Sequence, residues 1–213
     1  LCLRVVSMIV YMCSFSFSHN KHYHRILLFF ILQIIVSVLL RPQCVFPSIL
    51  HCVPLFHVTG SHAGFLMSVF SGRKMVLMSK WDVGHALELI QNEKITAITG
   101  VPTQTWDILN HPEKDKYDLS SLVDLSGGGA PRPPEHVKRL NDEMEGTPSI
   151  GYGLSETNAL GTLNAGEDYL KHPSSCGRAV PPVTEIAIAD QDWNFLNEGD
   201  HGEVVIKSPA NMI

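Results

Sequence analysis

Residues Lys74–Asn110 read KMVLMSKWDVGHALELIQNEKITAITGVPTQTWDILN, and this stretch decides the fold. Its first five residues, Lys74–Met78, make a short apolar run of strand length. Asp82 then stands where a helix N-cap belongs, and Val83, Ala86, Leu87 and Ile90 fall on one helical face. Ile95–Thr99 is a second strand-like run, closed by Gly100, and Pro102 suits the first turn of a helix reaching about Asn110. Strands that are apolar throughout, alternating with amphipathic helices, predict a parallel sheet covered on both faces.

Working outward, the polar stretch 111–118 reads as a loop and Leu122–Ser126 as a third strand running into glycines. Pro133 and Pro134 fit a first helical turn, with Val137, Leu140 and Met144 on one face behind them. Ser149–Tyr152 is a fourth strand. Past residue 180 the pattern changes: Thr184–Ala189 and Glu203–Ser208 flank the turn-rich NEGDHG and predict a β-hairpin or small barrel element. The expected fold is α/β, a mainly parallel sheet flanked by helices, with the start of a β subdomain at the C-terminus. The expected divisions are an atypical segment 1–51, an α/β part 52–180, and the β subdomain from 181 to 213.

The atypical segment differs in charge. Residues 1–50 hold no Asp or Glu and only Arg4, Lys21, Arg25 and Arg41 as basic groups, and the first acidic residue is Asp82. The whole chain carries a net charge of −5, which offers no electrostatic reason to expect nucleic acid as a partner. Residues 26–40 are apolar and lie between two arginines. A helix of that length spans about 22 Å, against ~30 Å of bilayer hydrocarbon. Two readings stay open for the segment, a membrane anchor and sequence that is not native coding sequence. Five cysteines without a C-x-x-C pair suggest neither a disulfide framework nor a zinc site, and favour a reducing compartment.

Three clusters carry chemistry at predicted strand ends, the edge where open α/β sheets bind ligands. In LSGGGAP (Leu125–Pro131), consecutive glycines let a flat ligand approach the backbone, although Gly-Gly after a strand is more often a plain turn. In GYGLSET (Gly151–Thr157), the Tyr152 ring can stack on a base. Ser155 and nearby N–H groups can hold a phosphate at a helix start, and Glu156 can give an oxygen to Mg²⁺. The same residues also make good helix-capping chemistry without a ligand. In PLFHVTG (Pro54–Gly60), His57 can line a pocket, although a lone histidine is more often structural.

Together these clusters, with GVPT near residue 100 and GEVVIKSP (Gly202–Pro209), keep the order and spacing of the adenylate-forming superfamily. The sequence from about residue 52 to 213 resembles the central part of the large N-terminal domain of fatty-acyl-CoA synthetases and 4-coumarate:CoA ligases. The resemblance implies roles by position. Gly128, Gly129 and Ala130 pack against adenine, Tyr152 stacks on it, and Gly151 lies beside the acyl group and among the nucleotide-binding residues. Ser155 contacts the α-phosphate and Glu156 the Mg²⁺. His57, Val101, Pro102, Gly151 and Leu154 line the acyl pocket, and Gly177 in SCGRAVPP leads towards the β subdomain. It also implies ATP, Mg²⁺, CoA and a carboxylic acid, most readily a fatty acid, as cofactors and partners, in a cytoplasmic or peroxisomal setting. Membrane association follows only if residues 26–40 are an anchor.

The resemblance has gaps. No Ser/Thr/Gly-rich phosphate loop ending in P-K-G precedes His57, and the family's ribose-binding Asp and its C-terminal Lys domain find no counterpart in these 213 residues. The expectation is that the 213 residues alone turn over no substrate. The rivals are a membrane-anchored, non-catalytic nucleotide- or acyl-binding remnant; a serine hydrolase with Ser155 as nucleophile; and a metal site from Cys52, His57 and His62. The elbow of a hydrolase needs Gly where Thr157 stands, and the metal set lacks a fourth ligand.

Overall fold

The computed structural model describes residues 47–180 and 184–212, so the apolar run 26–40 lies outside the described residues. The chain opens with β1 (Ser48–His51), followed by eight residues of π-helix (Thr59–Leu66) that run straight into α1 (Met67–Ser71). Then come β2 (Lys74–Leu77), α2 (Val83–Glu93), β3 (Ala97–Gly100), α3 (Pro102–Asn110) and β4 (Asp124–Gly128). After them follow α4 (Pro134–Glu143), β5 (Thr147–Tyr152), β6 (Thr162–Ala165), α5 (Gly166–Lys171) and β7 (Arg178–Ala179). A separate antiparallel pair, β8 (Glu185–Ala189) and β9 (Glu203–Lys207), closes the described chain.

The first seven strands form one sheet in the order β2-β1-β3-β4-β5-β6-β7. Its five neighbouring strands β2, β1, β3, β4 and β5 are parallel, and β6 and β7 are antiparallel. The expected α/β fold with a mainly parallel, helix-flanked sheet is therefore present, with antiparallel strands towards its C-terminal end. Connections run from β1 outward to β2, then back across β1 to β3 and on to β5. Right-handed crossovers put α1 on one face of the sheet and α2, α3 and α4 on the other.

Helices α2, α3 and α4 form where expected and for the reasons expected. The Asp82 carboxylate accepts the His85 N–H at 2.8 Å and starts α2, whose Ala86, Leu87 and Ile90 are fully buried. Pro102 and Pro134 open α3 and α4, where a missing N–H costs nothing. Those faces meet Leu50, Ile98 and Leu125 of the strands and Ile108, Leu109 and Leu140 of the helices in one apolar cluster. Burying each such side chain is worth about 1.5–3 kcal/mol. Helices α3 and α4 also share a polar contact. His136 is buried, with Nε2 at 3.2 Å from the Thr105 hydroxyl, and Trp106 meets its ring edge-on at 5.0 Å.

Three differences from the sequence reading have local causes. Ile95 and Leu122 are fully buried but precede their strands, because their N–H groups bond back to Ile90 and Leu119 in turns. β3 and β4 therefore each begin two residues later than hydrophobicity alone suggests. Strand β1 comes ahead of residue 52 and lies inside the sheet between β2 and β3, with all four residues buried. The π-helix with α1, and strands β6 and β7 with helix α5, in stretches with little periodicity, were not anticipated.

Candidate nucleotide-binding edge

All five parallel strands end on one edge of the sheet, and the three sequence clusters are the loops that leave it. The direction of chain progression reverses between β1 and β3, and a crevice at such a switch point is where open α/β sheets take ligands. The Pro54–Gly60 loop leaves β1 there, and Val101 and Pro102 leave β3.

Next to it, β4 and β5 pair in register, with Gly128 opposite Gly151 and Gly127 opposite Ile150. The loops GGGAP and GYGLSET therefore emerge side by side. A Cβ on Gly128 would come to 3.0 Å of the Gly151 carbonyl oxygen, so glycine is what lets the two strand ends lie this close. Gly129 has φ +76°, and the position its Cβ would take is 3.8 Å from Val101 Cγ1. The structure thus brings Val101, Gly128, Gly129 and Gly151 together. Ala130 is exposed on the same loop, and Tyr152 is half-buried at the end of β5.

The GYGLSET loop differs from the expected helix start. Ser155–Thr157 is a single 3₁₀ turn, ended by Asn158 in the left-handed region at φ 52°. Thr157, 5% exposed, is the cause. Its hydroxyl accepts the Leu154 N–H at 3.0 Å and donates to the Leu154 carbonyl at 3.1 Å, closing the turn on itself. Gly153 packs so tightly that a Cβ there would overlap the Ala159 carbonyl oxygen. What remains outward is the pair named from sequence: Ser155 and Glu156 are exposed, and their side chains join no hydrogen bond or ion pair among the described residues. Without the strand–turn–helix of a nucleophile elbow, a hydrolase site at Ser155 has no support. Leu154 is 44% exposed beside them.

His57 is exposed at the head of the π-helix, where its Nδ1 accepts the Thr59 N–H at 3.1 Å. Pro102 is buried at the start of α3. Cys52, His57 and His62 form no metal cluster, and among the described residues no three His, Cys, Asp or Glu groups could together hold an ion. A lone outward carboxylate, Glu156, suits Mg²⁺, which takes most of its oxygens from phosphate and water.

Two buried polar side chains escaped sequence reasoning. Arg132, 3% exposed, turns back under the glycine loop, and its Nη2 stands 2.6 Å from the place a Cβ on Gly127 would occupy. It donates to the Ser149 carbonyl at 3.2 Å and the Leu125 carbonyl at 3.4 Å, spanning β5 and β4, while its Nε has no partner. Burial lowers its pKa, and the neighbouring Tyr169 hydroxyl works against that. An arginine between prolines, directly after the glycine loop, was the available signal. His51, at the end of β1, is 2% exposed, its ring set against Gly64 of the π-helix, with no better partner than a marginal contact to the Val53 backbone. Burial lowers its pKa. The depression lined by Lys114, Tyr117, Ser120 and Glu145 lies at the opposite edge, where the strands begin.

A parallel sheet with glycine-rich loops at its carboxyl edge and an outward hydroxyl–carboxylate pair defines an open α/β protein of the kind that takes ligands at that edge. The sequence matches the AMP-binding enzyme family over residues 21–213, and the chain belongs to that family. It is 32% identical over 165 residues to a long-chain-fatty-acid–CoA ligase of Bacillus subtilis (strain 168), covering 78% of this chain and 29% of that protein. Its fold matches the N-terminal domain of FACL13 from Mycobacterium tuberculosis, with TM-score 0.71, 27% identity, and coverage of 84% of this chain and 44% of that one. It also matches o-succinylbenzoate coenzyme A synthetase (MenE) from Bacillus subtilis in complex with ATP and magnesium ion. There the TM-score is 0.69 with 25% identity, over 86% of this chain and 37% of that one. The chain spans less than a third of the length of the curated relatives it matches. Among the described residues no helix is long and apolar enough to cross a membrane.

Proposed function

We propose that this chain provides the adenine and α-phosphate half of an AMP-forming acyl-CoA synthetase site. In the reaction, a carboxylate oxygen attacks the α-phosphorus of ATP and pyrophosphate leaves, giving acyl-AMP. The CoA thiol then attacks the acyl carbon, AMP departs, and the thiol proton is released. The observation that carries the reading is the pairing of Gly128 with Gly151, which sets the GGGAP and GYGLSET loops next to each other.

In this reading the peptide groups of Gly128, Gly129 and Ala130 face the purine edge and Tyr152 stacks on its face. Ser155 donates to the α-phosphate. Glu156 holds Mg²⁺, which neutralises charge on the phosphate oxygens. Val101, Pro102, Gly151, Leu154 and His57 border the acyl group, and the apolar Leu154 suits a fatty acid. Catalysis of this kind comes from positioning and electrostatics rather than a covalent enzyme nucleophile. Orientation of a well-held pair is worth up to ~7–11 kcal/mol, and half a site supplies little of it. The 213-residue polypeptide by itself therefore does not turn over, and what nucleotide it holds it holds weakly.

Calorimetric titration of this polypeptide with AMP and with a non-hydrolysable acyl-AMP analogue, each with and without Mg²⁺, tests the proposal. Saturable binding that Mg²⁺ strengthens, and that Glu156→Gln makes insensitive to Mg²⁺, is the expected result. No binding of either ligand at millimolar concentration would sink it. ATP–pyrophosphate exchange with fatty and aromatic acids should stay at the level of the blank.

A further inference from the structure

The loop that carries Ser155 and Glu156 is closed at its neck, where the Gly161 N–H donates to the Tyr152 carbonyl at 2.8 Å. Inside the loop the Leu154 carbonyl also takes the Ala159 N–H at 3.0 Å. The rim opposite the neck is gripped by a stretch fifty residues further on. The Met212 N–H donates to the carbonyl of Glu156 at 2.7 Å, and the Asn158 side-chain amide donates to the carbonyl of Ala210. Asn158 can do this because its backbone is left-handed, a conformation that asparagine tolerates better than other side-chain-bearing residues.

The gripping stretch is itself anchored to β9. Asn211 Nδ2 donates to the Ile206 carbonyl at 2.8 Å, and the Ala210 N–H donates to the Ser208 hydroxyl at 3.1 Å. Ile206 Cδ1 lies 3.2 Å from where a Cβ on Gly161 would stand, so β9 and the neck of the loop are in contact as well. The Thr157–Leu154 bonds close the turn locally but hold neither outward side chain, Ser155 nor Glu156. The turn's direction is set by what holds its backbone.

We infer that Asn158 and the Ala210–Met212 stretch form a clamp that positions Ser155 and Glu156, so that the affinity for a magnesium-bound nucleotide phosphate depends on it. Asn158 is a positioning residue here, acting through the turn and touching no ligand. The inference rests on the nucleotide-site reading above and adds to it the part of the chain that aims the carboxylate.

A double-mutant cycle on the full 213-residue chain tests it, using Asn158→Ala, Met212→Pro (which removes the donating N–H) and their combination. The readouts are the AMP dissociation constant with and without Mg²⁺, and hydrogen exchange at the Met212 amide without ligand. Asn158→Ala should speed Met212 exchange and weaken AMP–Mg²⁺ binding by about fivefold, the equivalent of one hydrogen bond. Metal-free AMP binding should change less than twofold. The double variant should lose no more than the worse single variant, since both remove one clamp. Asn158→Gly, which keeps the left-handed backbone and lacks the donor, should match Asn158→Ala.

If Met212 exchange is unaffected by Asn158→Ala, the clamp does not exist. If exchange speeds up while Mg²⁺-dependent affinity holds, the clamp is present but positions nothing, and the inference fails. A parent chain that binds no adenine nucleotide overturns the nucleotide-site reading and the positioning role with it. The exchange data would then tell that outcome apart from failure of the clamp alone.

Discussion

Gly128 of β4 faces Gly151 of β5, and the gap between them is too narrow for a methyl group: 3.0 Å would separate a Cβ at 128 from the Gly151 carbonyl oxygen. The β4–β5 pairing sets two of the loops read as ligand-binding side by side, and this close approach is its last register position.

Enlarging it should therefore be felt at once. Gly128→Ala is expected to cost about 1 kcal/mol and Gly128→Val about 2–3 kcal/mol, as overpacking against backbone that cannot retreat. Gly129→Ala should cost about 1–2 kcal/mol through its φ of +76°, with no clash involved. Urea midpoints check all three, and equal stability for Gly128→Val and the parent would contradict the close approach.

His136 sets an acid limit on stability. Burial, and then the positive charges of Arg132 and Arg139, push its pKa from 6.5 down to about 4. The unfolded chain thus binds a proton in the window between those values and the folded one does not. Stability is full above pH 6.5 and falls as pH drops to about 4, by on the order of 2–3 kcal/mol. Glu143, held near 2 by Arg139 and Lys114, adds a loss of the same sign only as pH falls below its ordinary value of 4.5. Urea midpoints measured from pH 4 to 7 should slope upward, and His136→Gln should make the slope shallower, leaving the part owed to His51, whose pKa burial also lowers.

His51 is a liability rather than a support. A buried ring nitrogen without a partner carries a desolvation penalty of about 1–3 kcal/mol, which the marginal contact with the Val53 backbone offsets only in part. His51→Leu should raise the thermal midpoint, by the equivalent of about 1–2 kcal/mol. A lower midpoint would mean that the imidazole has a bonding partner after all.

Arg132 divides differently between its charge and its volume. The guanidinium is buried with two carbonyl acceptors and the Tyr169 hydroxyl nearby, and burial still outweighs them, so its desolvation is poorly compensated. Arg132→Met, which keeps most of the volume, should be at least as stable as the parent. Arg132→Ala leaves a cavity under the glycine loop and should cost about 2–4 kcal/mol. A chemical-denaturation series of the two variants separates the effects.

The sequence made the central strands and helices legible because each was long enough to show a period, as Val83, Ala86, Leu87 and Ile90 did. Strand β1 was not legible. Four residues, Ser48–His51, carry no periodicity, and they lie beside an abrupt change in composition. The loops at the carboxyl edge could be named from glycine clusters and their order, but the Ser155–Thr157 turn could not be foreseen. Its shape depends on Thr157 bonding back to Leu154 and on a hold from residues 210–212, and such distant partners leave no mark on local sequence. Arg132 and His51 escaped for the opposite reason, since burial of a polar side chain contradicts its residue type.

The place of β1 has a consequence for how the protein is made. Both of its neighbours, β2 and β3, are encoded after it, so its edges stay bare until synthesis has passed residue 77 and then residue 100. Throughout that interval Ser48–His51 is a naked, buried-type strand on the nascent chain, open to pairing with copies on neighbouring ribosomes. A chaperone that engages the emerging polypeptide has most to protect in this interval.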